Sequence, residues 1–206
     1  MTLQIAVLAS GRGSNFEALQ WQIEEGRIPA IIKVVISNRS EAPVLDKAKE
    51  RGIDTRFINP AQYENKEMYE LELVRVCEEY QADLVVLAGY MRILTGTFIN
   101  AFNGKVINIH PALLPSFPGL HAQRQAVNYG VRFSGCTVHF VDTGVDTGPI
   151  ILQQVVPVLP GDDEDALADR IQKEEHQLLP EAVRLFANGR LKIEGRKVII
   201  LPEGVK

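Results

Sequence analysis

The stretch Gln4-Ile5-Ala6-Val7-Leu8-Ala9-Ser10-Gly11-Arg12-Gly13-Ser14-Asn15 decides the fold. Residues 4–9 form a nearly continuous apolar run, which is typical of a strand covered on both faces. Residues 10–15 hold two glycines, and a helical pattern begins directly afterwards. A strand, a tight turn and a helix in this order predict the first unit of a parallel α/β sheet.

The same alternation continues outward from this stretch. We predict further strands at 31–37, 54–58, 83–88 and 105–109, with helices at about 15–25, 43–51, 65–81 and 95–102. Residues 111–120 contain three prolines and a glycine, which predict a constrained loop. Beyond it we expect a helix at 121–129, strands at 137–141 and 150–159, a long helix at 163–187 capped by Asp162 or Asp163, and a hairpin at 190–201. The expected fold class is α/β: one Rossmann-like domain over 1–206, with a mainly parallel sheet, helices on both faces, and a C-terminal long helix and hairpin.

Composition narrows the class of protein. Of 206 residues, 46% are hydrophobic and 23% charged, as in globular proteins, which argues against disorder or a coiled coil. Apolar runs stay well below the length of about 18 residues that suggests a membrane helix. The first residues show no basic, cleavable leader, so we expect a cytoplasmic protein without a membrane association. A net charge of −4 without a basic run argues against nucleic-acid binding.

Cysteines and histidines are few and scattered. Cys77 and Cys136 and the four histidines show no ligand spacing, so we expect neither a disulfide framework nor a metal site. His139 in a predicted strand and His176 on a helix are interpreted as core or surface residues. His121, directly after the proline-rich loop, is a candidate for the ligand cleft.

The glycine turn at 10–15 is a candidate phosphate site. Glycines let a ligand approach the backbone closely, and the free amides at a helix start attract anions. The turn is not a Walker A loop, and Phe16 occupies the third glycine position of the dinucleotide fingerprint. The alternative is a simple strand-to-helix turn in which Ser14 is only the N-cap.

Asn108 and His110 lie two residues apart at the end of a predicted strand, so both side chains leave the same face. Carboxyl ends of parallel strands face the ligand crevice, where an amide and an imidazole suit acyl chemistry. Asp146, in a turn-rich segment, could orient and charge such a histidine. The alternatives are a buried pair satisfied by backbone groups and a solvated turn aspartate.

Taken together, these motifs resemble the phosphoribosylglycinamide formyltransferase family, the purine-synthesis enzymes that use 10-formyltetrahydrofolate. The resemblance covers nearly the whole chain. The segments that carry it are Leu8-Ala9-Ser10-Gly11-Arg12-Gly13-Ser14-Asn15, Leu87-Ala88-Gly89-Tyr90-Met91-Arg92-Ile93-Leu94, Asn108-Ile109-His110-Pro111-Ala112-Leu113-Leu114-Pro115, Phe117-Pro118-Gly119-Leu120-His121, Thr137-Val138-His139-Phe140-Val141 and Asp146-Thr147-Gly148-Pro149-Ile150-Ile151.

The resemblance implies a role for each matching position. The implied catalytic residues are Asn108, His110 and Asp146. The implied nucleotide contacts are Gly13, Ser14, Asn15, Gln172 and Glu175. The implied folate contacts are Lys66, Met91, Arg92, Ile93, Leu94, Asn108, Val141, Asp142, Thr143, Gly144, Val145 and Asp146. Lys66 departs from the arginine that relatives can carry near the glutamate tail of the folate, which loses a bidentate contact.

The resemblance also implies partners and alternatives. The expected partners are the small molecules glycinamide ribonucleotide and 10-formyltetrahydrofolate, the co-substrate; a metal is not expected, and the chain is expected to be a monomer or homodimer. Rival functions are a methionyl-tRNA formyltransferase, a hydrolase that releases formate, and a non-catalytic binding module. The first two would be expected to carry a further domain, and a mere binder would not need the catalytic trio.

Overall fold

The structure is a computed structural model that describes residues 2–204. The chain divides into two compact units, 1–108 and 109–206, and strand β5 (Val106–His110) contributes to both. The first unit also contains strands β1 (Leu3–Leu8), β2 (Ala30–Ser37), β3 (Asp54–Phe57) and β4 (Leu84–Leu87), and helices α1 (Ser14–Glu24), α2 (Pro43–Glu50), α3 (Lys66–Glu79) and α4 (Gly96–Ala101).

Strands of the first unit are all parallel, in the order β3-β2-β1-β4-β5. The central strands β1 and β4 are covered on both faces, since Ile5–Leu8 and Leu84–Leu87 are almost completely buried. This explains why these strands are continuously apolar rather than alternating. The loops that follow β1, β2 and β4 therefore share the carboxyl edge of this sheet.

The second unit contains strands β6 (Phe133–Phe140) and β7 (Ile150–Pro157), which pair antiparallel. Helix α5 (Ala122–Tyr129) precedes β6, and the long helix α6 (Glu164–Ala187) follows β7. Strands β8 (Leu191–Glu194) and β9 (Lys197–Ile200) form a hairpin whose second strand runs parallel to β7. A cluster of buried side chains joins α5, β6, β7 and α6: Ala126, Cys136, Val156, Leu167 and Ile171.

The predicted α/β class, with a mainly parallel sheet, a long C-terminal helix and a closing hairpin, is confirmed. Strand β6 begins at Phe133, four residues before the predicted start at 137, because Gly135 packs against the backbone of β7. Asp163 is the cap of α6, and its side chain accepts a hydrogen bond from the amide of Ala166. The single domain over 1–206 stays a prediction. Among residues 2–204, the helices are too short or too polar to span a membrane.

Candidate active site

His110, which is buried, and Asp146, which is partly buried, form a close pair in the second unit. His110 is the last residue of β5 and is 4% exposed. Its Nδ1 lies 3.3 Å from Oδ2 of Asp146, and its Nε2 lies 2.8 Å from the carbonyl oxygen of Phe117. Both partners are acceptors, so the ring can satisfy both only when each nitrogen carries a proton.

The loop between β6 and β7 places Asp146. Asp146 has a φ of 53°, in the left-handed region that aspartate tolerates better than most residues. The loop is tight: a Cβ on Gly148 would lie 1.8 Å from the carbonyl oxygen of Phe140. Asp142 stabilises the preceding turn by accepting hydrogen bonds from the Gly144 amide and the Thr147 hydroxyl. These contacts fix the backbone of the loop, and the fixed backbone determines where the Asp146 carboxylate lies.

The proline-rich loop supplies the remaining contacts of this pair. The Gly119 amide donates to Oδ2 of Asp146 at 2.8 Å, while the Phe117 carbonyl faces His110. The start of the loop is fixed by the buried Thr137, whose hydroxyl donates to the Ala112 carbonyl and accepts from the Leu114 amide. The backbone of Phe117 has a φ of 53°, which is a strained conformation for this residue. The hydrogen bonds of Thr137 to the loop help to maintain it.

His139 is the residue that sequence reasoning missed. It is buried in β6, and its Nε2 lies 3.6 Å from Oδ1 of Asp146, on the opposite carboxylate oxygen from His110. Its Nδ1 faces the Phe140 carbonyl oxygen at 2.8 Å. The available signal was an imidazole inside an apolar, fully buried strand, since a buried polar side chain needs a partner. Asp146 thus lies between two histidines.

Burial and the neighbouring polar groups shift the pKa values of His110 and Asp146 in opposite directions. Burial lowers the pKa of His110 below its ordinary value of 6.5, although Asp146 and the Phe117 carbonyl raise it. Burial also acts to raise the pKa of Asp146, but contacts with His139, the Gly119 amide and His110 together hold that pKa below its ordinary value. Asp146 is therefore ionised at neutral pH. The effect of its charge, which raises the pKa of His110, is smaller than the effect of burial, which lowers it.

Asn108 lies two residues before His110 on β5 and is half-buried. Because side chains alternate along a strand, the amide and the imidazole leave the same face of β5. Both residues thus belong to β5, and their joint role in a site stays a prediction.

The glycine turn forms the start of α1 in the first unit. Gly13 is the N-cap, with a φ of 77°, so the expectation that Ser14 caps the helix is wrong, while the choice between a phosphate site and a simple turn stays open. A Cβ on Gly13 would lie 2.5 Å from Cγ2 of Val44, and the Val44 amide donates to the Gly11 carbonyl. The turn is thus packed against α2, and the first turn of α1 presents Ser14 and the buried Asn15.

Residues 91–94 form an irregular segment after β4 in the first unit. The side chains of Met91 and Ile93 are each 56% exposed, whereas Leu94 is buried. The guanidinium of Arg92 lies over the ring of Tyr69, 5.2 Å from its centre. Two exposed apolar side chains on an anchored segment are suited to contact a flat, partly apolar ligand.

The other predicted contacts lie on α6, at the start of α3 and in the loop after β6. Gln172 and Glu175 are one helical turn apart on α6, and Glu175 is buried. Lys66 is the exposed first residue of α3. The residues that precede Asp146 in its loop are partly or fully exposed: Val141, Asp142, Thr143, Gly144 and Val145. Over residues 2–204 the structure contains no group of three histidine, cysteine or acidic side chains arranged to hold a metal ion.

Comparison with known proteins places the chain among relatives. A family model described as formyl transferase matches residues 3–183. The phosphoribosylglycinamide formyltransferase of Escherichia coli strain K12 is 42% identical over 191 residues, which are 93% of this chain and 90% of that protein. The bovine trifunctional purine biosynthetic protein adenosine-3 is 46% identical over 190 residues; these are 92% of this chain but 19% of that protein, so the chain spans about a fifth of its length. The crystal structure of glycinamide ribonucleotide transformylase 1 from Symbiobacterium toebii superposes with a TM-score of 0.96 at 51% identity, covering 98% of this chain and 95% of that chain.

The matched residues 3–183 include the glycine turn, β5 and the Asp146 loop. The similarity to the E. coli and S. toebii proteins extends over nearly the full length of this chain and of each of those proteins. The chain therefore belongs to the formyl transferase family, and within it to the phosphoribosylglycinamide formyltransferases.

Proposed function

We propose that the chain transfers the formyl group of 10-formyltetrahydrofolate to the amine of 5-phosphoribosylglycinamide, giving formylglycinamide ribonucleotide and tetrahydrofolate in purine biosynthesis. The observation that carries the proposal is the contact of His110 Nδ1 with the Asp146 carboxylate at 3.3 Å, at the end of a strand that also carries Asn108. A binding module would gain nothing from a buried imidazole paired with a carboxylate, whereas acyl transfer needs one.

In the proposed reaction, the amine nitrogen attacks the formyl carbon, and the C=O electron pair moves onto the formyl oxygen. The C–N bond to the folate then breaks, and the proton lost by the attacking amine goes to the departing folate nitrogen. The Asn108 amide and the His110 imidazole donate hydrogen bonds to the charged oxygen. Donors of this kind typically contribute about 3–4 kcal/mol to stabilisation of the transition state.

The electrostatics of His110 suit this role. Burial keeps its pKa low, so the ring of the free protein is mainly neutral at pH 7. Negative charge on the formyl oxygen adds to that of Asp146 and favours the doubly protonated ring. We infer that the ring takes up a second proton from solvent at Nε2 as this charge develops and gives it back when the carbonyl re-forms. The Nε2–H then donates to the formyl oxygen in place of the Phe117 carbonyl, while the Nδ1–H stays directed at Asp146.

Substrate contacts follow from the resemblance. Gly13, Ser14 and Asn15 would hold the ribose phosphate at the start of α1, where free amides favour an anion. Gln172 and Glu175 would contact the rest of the nucleotide. The 91–94 and 141–146 segments would line the folate pocket, and Lys66 would contact its glutamate tail. We further propose a cytoplasmic protein, monomeric or homodimeric, whose partners are small molecules rather than nucleic acid or membrane, and which needs no metal.

A coupled assay tests the proposal. Purified protein is supplied with 10-formyltetrahydrofolate with and without glycinamide ribonucleotide, and formyl loss is followed as tetrahydrofolate appears. We expect turnover that depends on the amine and is lost in His110→Ala but kept in Arg75→Ala, a surface change on α3. Formyl loss at the same rate without the amine would indicate a hydrolase, and folate binding without turnover would indicate a binding module.

A further inference from the structure

Ser10 joins three loops at the carboxyl edge of the sheet in the first unit. It is the second residue after β1 and is 2% exposed. Its hydroxyl donates to Oδ1 of Asn38, after β2, at 2.6 Å. The same oxygen accepts a hydrogen bond from the amide of Met91, after β4, at 2.8 Å. These two partners lie 28 and 81 positions away in the sequence.

The directions of these hydrogen bonds are fixed by chemistry. The Met91 amide can only donate, so the Ser10 oxygen must accept from it, and the single hydroxyl proton remains for Asn38. Each bond polarises the next, which strengthens a chain of this kind. The Ser10 amide also donates to the Gly89 carbonyl at 3.0 Å. The start of the 91–94 segment is thus held by one residue, through both its backbone and its side chain.

The far end of the same segment has a separate anchor. The buried carboxylate of Glu70 accepts hydrogen bonds from the amide and the hydroxyl of Thr95. Glu70 belongs to α3, which is far along the chain from the glycine turn, whereas Ser10 is the first residue of that turn. The Met91 end of the segment is thus hydrogen-bonded to Ser10, and the Thr95 end is hydrogen-bonded to α3.

We propose that Ser10 is a positioning residue that ties the folate segment at Met91 to the nucleotide loop, so that the two substrates bind interdependently. This inference rests on the proposed function, which assigns residues 13–15 to the nucleotide and 91–94 to the folate. A phosphate that fixes the loop also fixes Ser10, and through it the Met91 peptide that faces the folate. The second ligand then meets a segment that is already ordered, which is positive cooperativity.

A binding cycle tests the inference. The dissociation constant of tetrahydrofolate, which carries no formyl group to transfer, is measured by calorimetry with and without saturating glycinamide ribonucleotide. We expect the nucleotide to tighten folate binding by about 5-fold or more in the parent protein, within the usual range of coupling. Ser10→Ala should bring this ratio to within about twofold of one while the nucleotide alone still binds. A parent ratio of one, or an unchanged ratio in Ser10→Ala, overturns the inference.

Ser37→Ala is the matched control. Ser37 is a fully buried serine at the end of β2, and its hydroxyl accepts a local hydrogen bond from the Arg39 amide, two residues further on. This variant should keep the parental ratio; loss of coupling in it would mean that any buried serine at this edge has the same effect, against the inference. Amide exchange in the parent gives a second measurement, in which the nucleotide alone should slow exchange at Met91. If neither ligand binds the parent, the proposed function itself fails, whereas independent binding of both contradicts only the role of Ser10.

Discussion

Replacing Asp146 with asparagine removes one negative charge beside His110 and keeps nearly the same shape. The amide oxygen of an asparagine can still accept the hydrogen bond from Gly119, so the loop should hold its position. Since the Asp146 charge raises the pKa of His110 against the effect of burial, its loss should lower that pKa further below 6.5.

The size of the effect follows from the distance. Unit charges 3.3 Å apart attract by about 5 kcal/mol at an effective dielectric constant of about 20. Both side chains retain a little contact with solvent, which reduces this value. Opposite charges at this range change a protonation equilibrium by about 10- to 1,000-fold. We therefore expect the ratio of charged to neutral His110 at a fixed pH to fall by such a factor.

Two assays measure the consequence. Titration of carbon-13-labelled histidine by NMR follows His110, assigned by comparison with His110→Ala. In steady-state kinetics, kcat of Asp146→Asn should fall by about 100- to 1,000-fold with little change in either KM. The residual activity that needs a charged imidazole should be lost at a lower pH than in the parent.

The control is Asp142→Asn, the same chemical change in the same loop. Asp142 accepts hydrogen bonds from Gly144 and Thr147 rather than from a histidine, so the pKa of His110 should stay at its parental value. An unchanged or raised His110 pKa in Asp146→Asn would refute the electrostatic reasoning. Fully additive losses in the double variant with His110→Ala would show that the two residues do not act as one unit.

Three further outcomes can be measured. Ser14→Asp places a negative charge where the phosphate is proposed to bind, so it should raise the KM for the nucleotide at least about tenfold with little effect on the folate KM; a defect mainly on the folate side would contradict the assignment. Gly13→Ala adds a Cβ 2.5 Å from Val44 at a residue with a positive φ, so the free energy of unfolding measured with urea should fall by about 1–3 kcal/mol. Gly26→Ala, at a positive φ with no neighbour within 4 Å, should lower it less. His139→Phe keeps a buried ring but removes the contact with Asp146, so kcat should fall while both KM values hold, and an equal change in KM would indicate general damage to the fold.

Local sequence patterns were sufficient to predict most of the fold. The buried strands β1 and β4 are uniformly apolar, and the long helix α6 has a capping aspartate, so each element has its own signal. The start of β6 had none, because Phe133–Cys136 mixes an exposed aromatic residue with serine and glycine. Its strand conformation depends on close packing of Gly135 against β7, which is a tertiary effect.

The site was predictable only in part, for a similar reason. Spacing placed Asn108 and His110 on one face of a strand, since that follows from two residues of chain. The partner of a loop aspartate has no such local rule, and the nearness of Asp146 to His110 was implied by resemblance alone. The contacts of His139 and Ser10 join strands and loops that are distant in sequence, so local patterns assign these residues no partner.

Two residues at this site have a strained backbone conformation. Among residues 2–204, four non-glycine residues have a positive φ: Gln81, Phe117, His121 and Asp146. Phe117 presents its carbonyl to His110, and Asp146 supplies the carboxylate, so two of these four residues contact the His110 ring. Each such conformation costs about 1–3 kcal/mol and persists only when its surroundings enforce it. Here the enforcing contacts are the Thr137 and Gln153 hydrogen bonds to the proline-rich loop and the close packing of Gly148. These two conformations therefore reduce the free energy of unfolding. In exchange they direct a carbonyl and a carboxylate at one imidazole. Two acceptors at the ring favour uptake of a second proton by the buried histidine when negative charge develops beside it.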